Sequence, residues 1–308
     1  MQRARLPSLC AGAALAALAL AGCGGTSAAP EPAPETTTAA ATATDAAASE
    51  KSEPEVEAVH VHGLGVDPAD GSLVIATHAG LWRLAEGDDQ ATPIGEERQD
   101  TMGFTVVGPG RYLGSGHPDP AAAAEQGIPP LLGLISSDDG GLSWTPVSLY
   151  GEADFHVLRT SGRALYGFDA TSGRLLASSD GGETWKEREA PGFLLDLAID
   201  PAERRHLIGA GEQGIVESRD GGASWEVIVP EALGFLAWDP EHGVFLVDGA
   251  GDVYVSSRGG DTWEEAGTIG AQPAAFLAAG GRLYAARHDG VIVVSDDGGA
   301  TWETRASL

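Results

Sequence analysis

Two residues apart in what reads as an extended segment, His60 and His62 project to the same side of the chain, and two imidazoles so placed can chelate one metal ion. His78 or His117 would complete a site for zinc, copper or a similar borderline metal. Carboxylates are interspersed: Asp100, Asp119, Asp154, Asp169 and Asp196 offer further ligands, hydrogen-bond partners or acid/base groups. Two carboxylates facing each other across a channel are the equipment of a glycosidase, and Asp100 and Asp119 are the candidates for that pair. An imidazole can also act as a general acid or base at neutral pH. The bland alternative is that these groups satisfy exposed turns, because H-x-H alone is a weak signature.

Such groups act together only if the fold gathers them. Segments 137–144, 178–185, 218–225, 256–263 and 295–302 share the pattern S-x-D-x-G-x-[ST]-W, with arginine replacing the aspartate in the fourth, and the serine-to-serine steps are 41, 40, 38 and 39 residues. A period near 40 is the mark of a propeller or a solenoid. In such a turn the aspartates, Asp139, Asp180, Asp220 and Asp297, accept backbone N–H bonds, glycine permits a positive φ, and tryptophan packs between repeats. These aspartates are therefore structural. Arg258 takes their place in the fourth copy, so other bonds must hold that turn. The pattern resembles the Asp-box, or BNR, repeat of sialidase-like β-propellers, which also occurs in many propellers that are not sialidases.

Each repeat reads as four short strands, for example 193–199, 206–210, 214–218 and 225–229, separated by Asp-Pro, Gly-Glu and Asp-Gly-Gly turns. Two box-free units keep the framework, one at 61–66, 73–77 and 81–84, the other at 102–107 and 111–114 with an insertion over 117–130. The expected fold is all-β, a six-bladed propeller over 58–308. Five or seven blades are the alternative counts, because the first outer strand, near 91–94, is weakly marked.

Antiparallel blades place the lead-in to each inner strand, and each turn from second to third strand, on the face opposite the boxes. His60, His62, His78, His117, His156 and His288 map to that face, and His206 and His242 to the box side. The blades concerned are consecutive around the ring, so the six can converge at the mouth of the channel. His156, His288, Asp154 and Asp169 are the candidate ligand-binding residues, and His60, His62, His78 and His117 the candidate metal ligands.

Arg3 and Arg5 precede an apolar stretch over 9–20 that has the shape of a secretory signal. It ends in Leu20-Ala21-Gly22-Cys23, which resembles the lipobox of bacterial lipoproteins. The resemblance implies cleavage after residue 22 and a lipid anchor on Cys23, with the protein held on a cell membrane facing the extracytoplasmic side. Residues 23–57, without aromatics and with Val56 as their large apolar side chain, read as a disordered acidic Ala/Pro/Thr-rich linker. The 308 residues carry 18 basic against 45 acidic groups, a net charge of −27. That excludes nucleic acid as a partner, since binding phosphates depends on Lys and Arg.

Sialidases hold a carboxylate with three arginines and use a tyrosine nucleophile. The histidine face offers Arg98 and Arg287 without a clear third arginine, and Tyr112, Tyr166, Tyr254 and Tyr284 lie within strands. The stretches 60–68, 76–80, 100–104 and 114–119 look like a group of bacterial exported proteins labelled glycosyl hydrolases on propeller similarity, and a fold-derived label implies little chemistry. Propellers of the photosystem-assembly-factor type carry related repeats and work by binding protein. The expected function is a membrane-anchored propeller that binds a small ligand, glycan or protein at its histidine face, with zinc or copper as the possible metal; a glycoside hydrolase and a protein-binding assembly factor are the alternatives.

Overall fold

A computed structural model describes residues 60–308, so the signal, Cys23 and the linker lie outside the described residues. The fold is the expected one: six antiparallel sheets of four strands, each built from strands consecutive in sequence. The inner strands are Val61–Val66, Asp100–Gly108, Phe155–Ser161, Leu194–Ile199, Gly234–Asp239 and Pro273–Ala279. The outer strand of blade 1 is just Thr92–Pro93, both residues exposed, which is why it is faint in the sequence.

The apolar core is divided into six clusters, one at each joint between neighbouring blades. Each box tryptophan packs into the joint with the preceding blade, Trp144 against blade 1 and Trp302 against blade 5. Blade 1 has no box, and Trp82, from its third strand, fills the corresponding place against blade 6. The ring therefore closes by the same apolar packing that forms its other joints, without strand exchange. Arg305 of blade 6 adds hydrogen bonds to the carbonyls of Ala85 and Asp88.

The boxes explain the turns. Asp139 accepts the Ser143 amide at 3.0 Å and its hydroxyl at 2.6 Å, while the Ser137 hydroxyl accepts the Gly141 amide at 2.9 Å. Gly141 sits at φ 90° and lies so near Leu81 that a Cβ would come within 2.9 Å of a methyl group. The Ser143 hydroxyl and amide hold the Asp139 carboxyl down to about 2, and Thr301 does the same for Asp297. At Arg258 those bonds are missing, and the turn keeps the bond from the Gly260 amide to the Ser256 hydroxyl, 2.8 Å.

The insertion in blade 2 contains a helix, Pro120–Gln126. Asp119 caps it, accepting the amides of Ala121 and Ala122 at 2.8 Å each, and Gly127, at φ 68°, ends it. Among the described residues no helix is long and apolar enough to cross a membrane.

Candidate functional site

The central channel holds a cavity of about 300 Å³ lined by residues from all six inner strands. Its walls are mostly Leu, Ala, Phe and Gly, with His62, Thr105, Arg159 and Thr160 as polar exceptions and no aspartate or glutamate. The titratable groups collect instead at the mouth, on the face away from the boxes.

They form three groups. In the first, the His60 and His78 rings stand edge to face at 5.6 Å and His288 lies 6.4 Å from His60. The His60 amide donates to Nδ1 of His78 at 3.2 Å, so that nitrogen is an acceptor engaged within the fold. His60 and His62 do share an open hollow of about 170 Å³ with Ala274 and His288. In the second group, His62 Nε2 lies 3.3 Å from Asp100 Oδ1, yet both atoms are buried without a hydrogen bond. The pairing register shifts between Val61 and Gly63, placing His62 at a β-bulge. Burial opposes ionisation of Asp100, but the neighbouring His62, with His117 and His78 beyond, outweighs it and holds the carboxyl below its usual range.

The third group is the tightest. His117, Asp154 and His156 offer ligand atoms that all lie within 4.8 Å of one another. Asp154 Oδ2 is 2.9 Å from His156 Nε2 and 3.4 Å from His117 Nε2. His117 ends the second strand of blade 2, Arg111–His117, where Gly116 (φ 134°) runs so close to the inner strand that a Cβ would sit 2.1 Å from the Asp100 carbonyl. Asp154 and His156 lead into blade 3. The two blades are pinned by the Phe155 amide, which donates to the buried Ser115 hydroxyl at 2.9 Å.

Asp169 stands behind Asp154. Its Oδ1 accepts the Asp154 amide at 3.1 Å, and its other oxygen accepts the Ser172 hydroxyl and the Arg174 guanidinium. Full burial pushes this carboxyl up, but the bonds from Ser172, Asp154, Arg174 and Thr171 prevail and it stays lowered. Asp169 therefore orients Asp154 and does not itself face the mouth. Asp196 is also withdrawn: it is 1% exposed, paired with Arg159 at 2.6 Å, and accepts the Leu197 and Leu236 amides. Arg287 pairs with Asp289 at 2.7 Å, and Arg98 donates to the Gly95 and Glu97 carbonyls.

Asp154 and His156, both candidate ligand-binding residues from sequence, have the same two-residue spacing as His60 and His62 and carry the tighter arrangement. Sequence reasoning missed the Pro130 carbonyl, which accepts from His117 Nδ1 at 2.9 Å.

The BNR/Asp-box repeat family model matches residues 293–304. A curated relative, the photosystem II assembly lipoprotein Ycf48 of Synechococcus sp. (strain CC9902), is 29% identical over 152 residues, which is 46% of each chain. The match thus spans less than half of that relative. Among solved structures, the Niastella koreensis GH74 enzyme aligns with a TM-score of 0.57 at 16% identity over 80% of this chain and 45% of its own. The GH74 xyloglucanase of Xanthomonas campestris aligns at 0.54 and 16%, with the same coverage. At that identity the likeness to the hydrolases is one of fold. The chain is a six-bladed β-propeller built with BNR/Asp-box repeats.

Proposed function

We propose that this propeller is a binding protein, not a hydrolase: held at the outer side of a membrane by lipid on Cys23, it recognises a segment of a partner protein with its histidine face. The observation that carries this is the distribution of charge. A glycosidase needs two carboxyls across the scissile bond, one of them kept protonated, whereas the channel wall has no carboxylate. Of the candidate pair, Asp119 is engaged as a helix cap and Asp100 is held ionised by His62. The mouth, by contrast, presents imidazoles and carboxylates suited to hydrogen-bonding a ligand. The relative at 29% identity is named as an assembly lipoprotein, which supports a protein partner and the lipid anchor.

The test is site-specific photocrosslinking in intact cells. A benzophenone residue at exposed Glu125, beside the histidine face, should capture one discrete partner, and the same residue at exposed Leu142, in the first box turn, should not. Reducing sugar released from xyloglucan or a broader glycan panel, and lost in Asp100→Asn, would overturn the proposal.

A further inference from the structure

We infer that His117, Asp154 and His156 form a binding site for a borderline divalent transition-metal ion, zinc or copper(II), with an open coordination position. This deepens the binding reading of the histidine face and rests on it for the site's role, while the metal chemistry stands on its own observations.

The hydrogen bond between His117 Nδ1 and the Pro130 carbonyl fixes the proton. A carbonyl oxygen only accepts, so Nδ1 carries the hydrogen and, in the neutral ring, Nε2 presents a lone pair. Nε2 then lies 3.4 Å from Asp154 Oδ2, so two acceptors are close neighbours. A cation between them resolves the conflict. Donation of the distal ring N–H to a backbone carbonyl is also the usual way a ligating imidazole is held.

Asp154 supplies the second observation. Its side chain is 6% exposed, and Oδ1 is buried with no hydrogen-bond partner. A carboxylate left half-satisfied in that setting is costly. The surroundings nonetheless hold it firmly: Asp169 accepts the Asp154 amide, and the Asp154 carbonyl accepts the Ala170 amide at 2.9 Å. Of its two oxygens, Oδ2 takes the His156 ring at 2.9 Å, and Oδ1 is left for a partner the protein does not itself provide.

Accessibility and ligand type complete the assignment. The side chains of His117 and His156 are 41% and 39% exposed, so both rings are open to solvent. Two imidazoles and one carboxylate suit zinc or copper(II), whereas copper(I) favours thiolate and thioether sulfur. Three protein ligands leave a position for a group from outside, which makes the ion a contact point for a bound partner. In this structure His156 Nε2 is hydrogen-bonded to Asp154 Oδ2 at 2.9 Å, a contact that a bound ion would replace; in the first group of histidines, Nδ1 of His78 is likewise engaged, by the His60 amide.

The test uses the full chain purified in detergent, stripped with chelator and titrated with zinc chloride or copper sulfate against a chromophoric competitor. One ion per chain is expected. His117→Ala and His156→Ala should each weaken binding by at least about 100-fold, and Asp169→Asn, acting by position, by about 10-fold. Asp154→Asn checks the carboxylate without emptying the space. His242→Ala, on the box side, should leave the affinity within about two-fold. Copper(II) electron spin resonance should show nitrogen coupling that is lost with His117 and His156 while the circular dichroism of those variants is retained. No stoichiometric ion, or binding that survives both substitutions and disappears with His60→Ala plus His62→Ala, overturns the assignment. A metal-loaded protein that captures no partner at position 125 would refute the binding reading and leave the metal site standing, and the reverse pattern would do the opposite.

Discussion

Replacing Tyr112 by phenylalanine removes one oxygen from the joint between blades 1 and 2. The Tyr112 ring is fully buried, its hydroxyl donates to Asp67 Oδ2 at 2.6 Å, and it accepts from Arg83 Nη2 at 2.9 Å. Asp67 is 1% exposed, so its charge depends on these partners. Burial pushes the Asp67 carboxyl up, but the Tyr112 hydroxyl, the Ala69 and Gly110 amides and Arg83 together bring it below its usual range. A hydrogen bond to a buried charge contributes about 1.5–3 kcal/mol. The amides and Arg83 survive the change, so the expected loss is about 2 kcal/mol, or about 4–8 °C in Tm for a domain of this size. Urea unfolding at neutral pH measures it. The sign with pH is fixed as well. A lowered carboxyl contributes stability above its unfolded value near 4, so the difference between Tyr112→Phe and wild type should shrink as pH falls below about 4. A loss under about 0.5 kcal/mol, or one unchanged down to pH 3, would refute the role assigned to this hydroxyl.

Two further outcomes follow from other contacts. Burial pushes the Asp196 carboxyl up, against the Arg159 guanidinium and the Leu236 and Leu197 amides. Arg159→Met removes the charge that opposes burial and should destabilise the protein by about 3 kcal/mol in the same urea assay; a loss below about 1 kcal/mol would show that the pair is not needed. Because the box aspartates are lowered, with Asp139 and Asp297 at about 2, their stabilisation is present above about pH 4 and is lost as pH falls towards 2. Melting temperature should therefore decline over that window, with a shallower slope in Asp297→Asn, and identical slopes in the two proteins would count against the box bonds.

The blade count and the structural role of the box aspartates were legible because each repeat spells out its own turn chemistry at near-constant spacing. The concentration of histidines on one face was legible because four antiparallel strands fix which turns share a face. The grouping within that face was not. Strand alternation put His60 and His62 on one hollow, where the structure has them, but the carboxylate that pairs with His62 comes from Asp100 in the next blade. Asp119 was available from sequence as a cap: Asp before Pro120, an alanine run and Gly127 are helix start and stop signals. The role of Pro130 was hidden, since a carbonyl contact across an insertion leaves no trace in residue type.

Four is an even number, and each blade returns the chain to the face from which it set out. With strands consecutive in every sheet and none exchanged at the closing joint, both ends of the described chain lie beside the same turn of blade 6. His60 approaches His288 there, and the Leu308 amide donates to the Gly290 carbonyl at 3.1 Å. Parity thus brings both ends of the described chain to one face: the chain enters the propeller at residue 60 and leaves it at residue 308 beside the histidine mouth, with the boxes on the opposite face. An oligohistidine tag added after residue 308 would hang over the same mouth and compete for its ions, so metal titrations call for protein without a tag at that end.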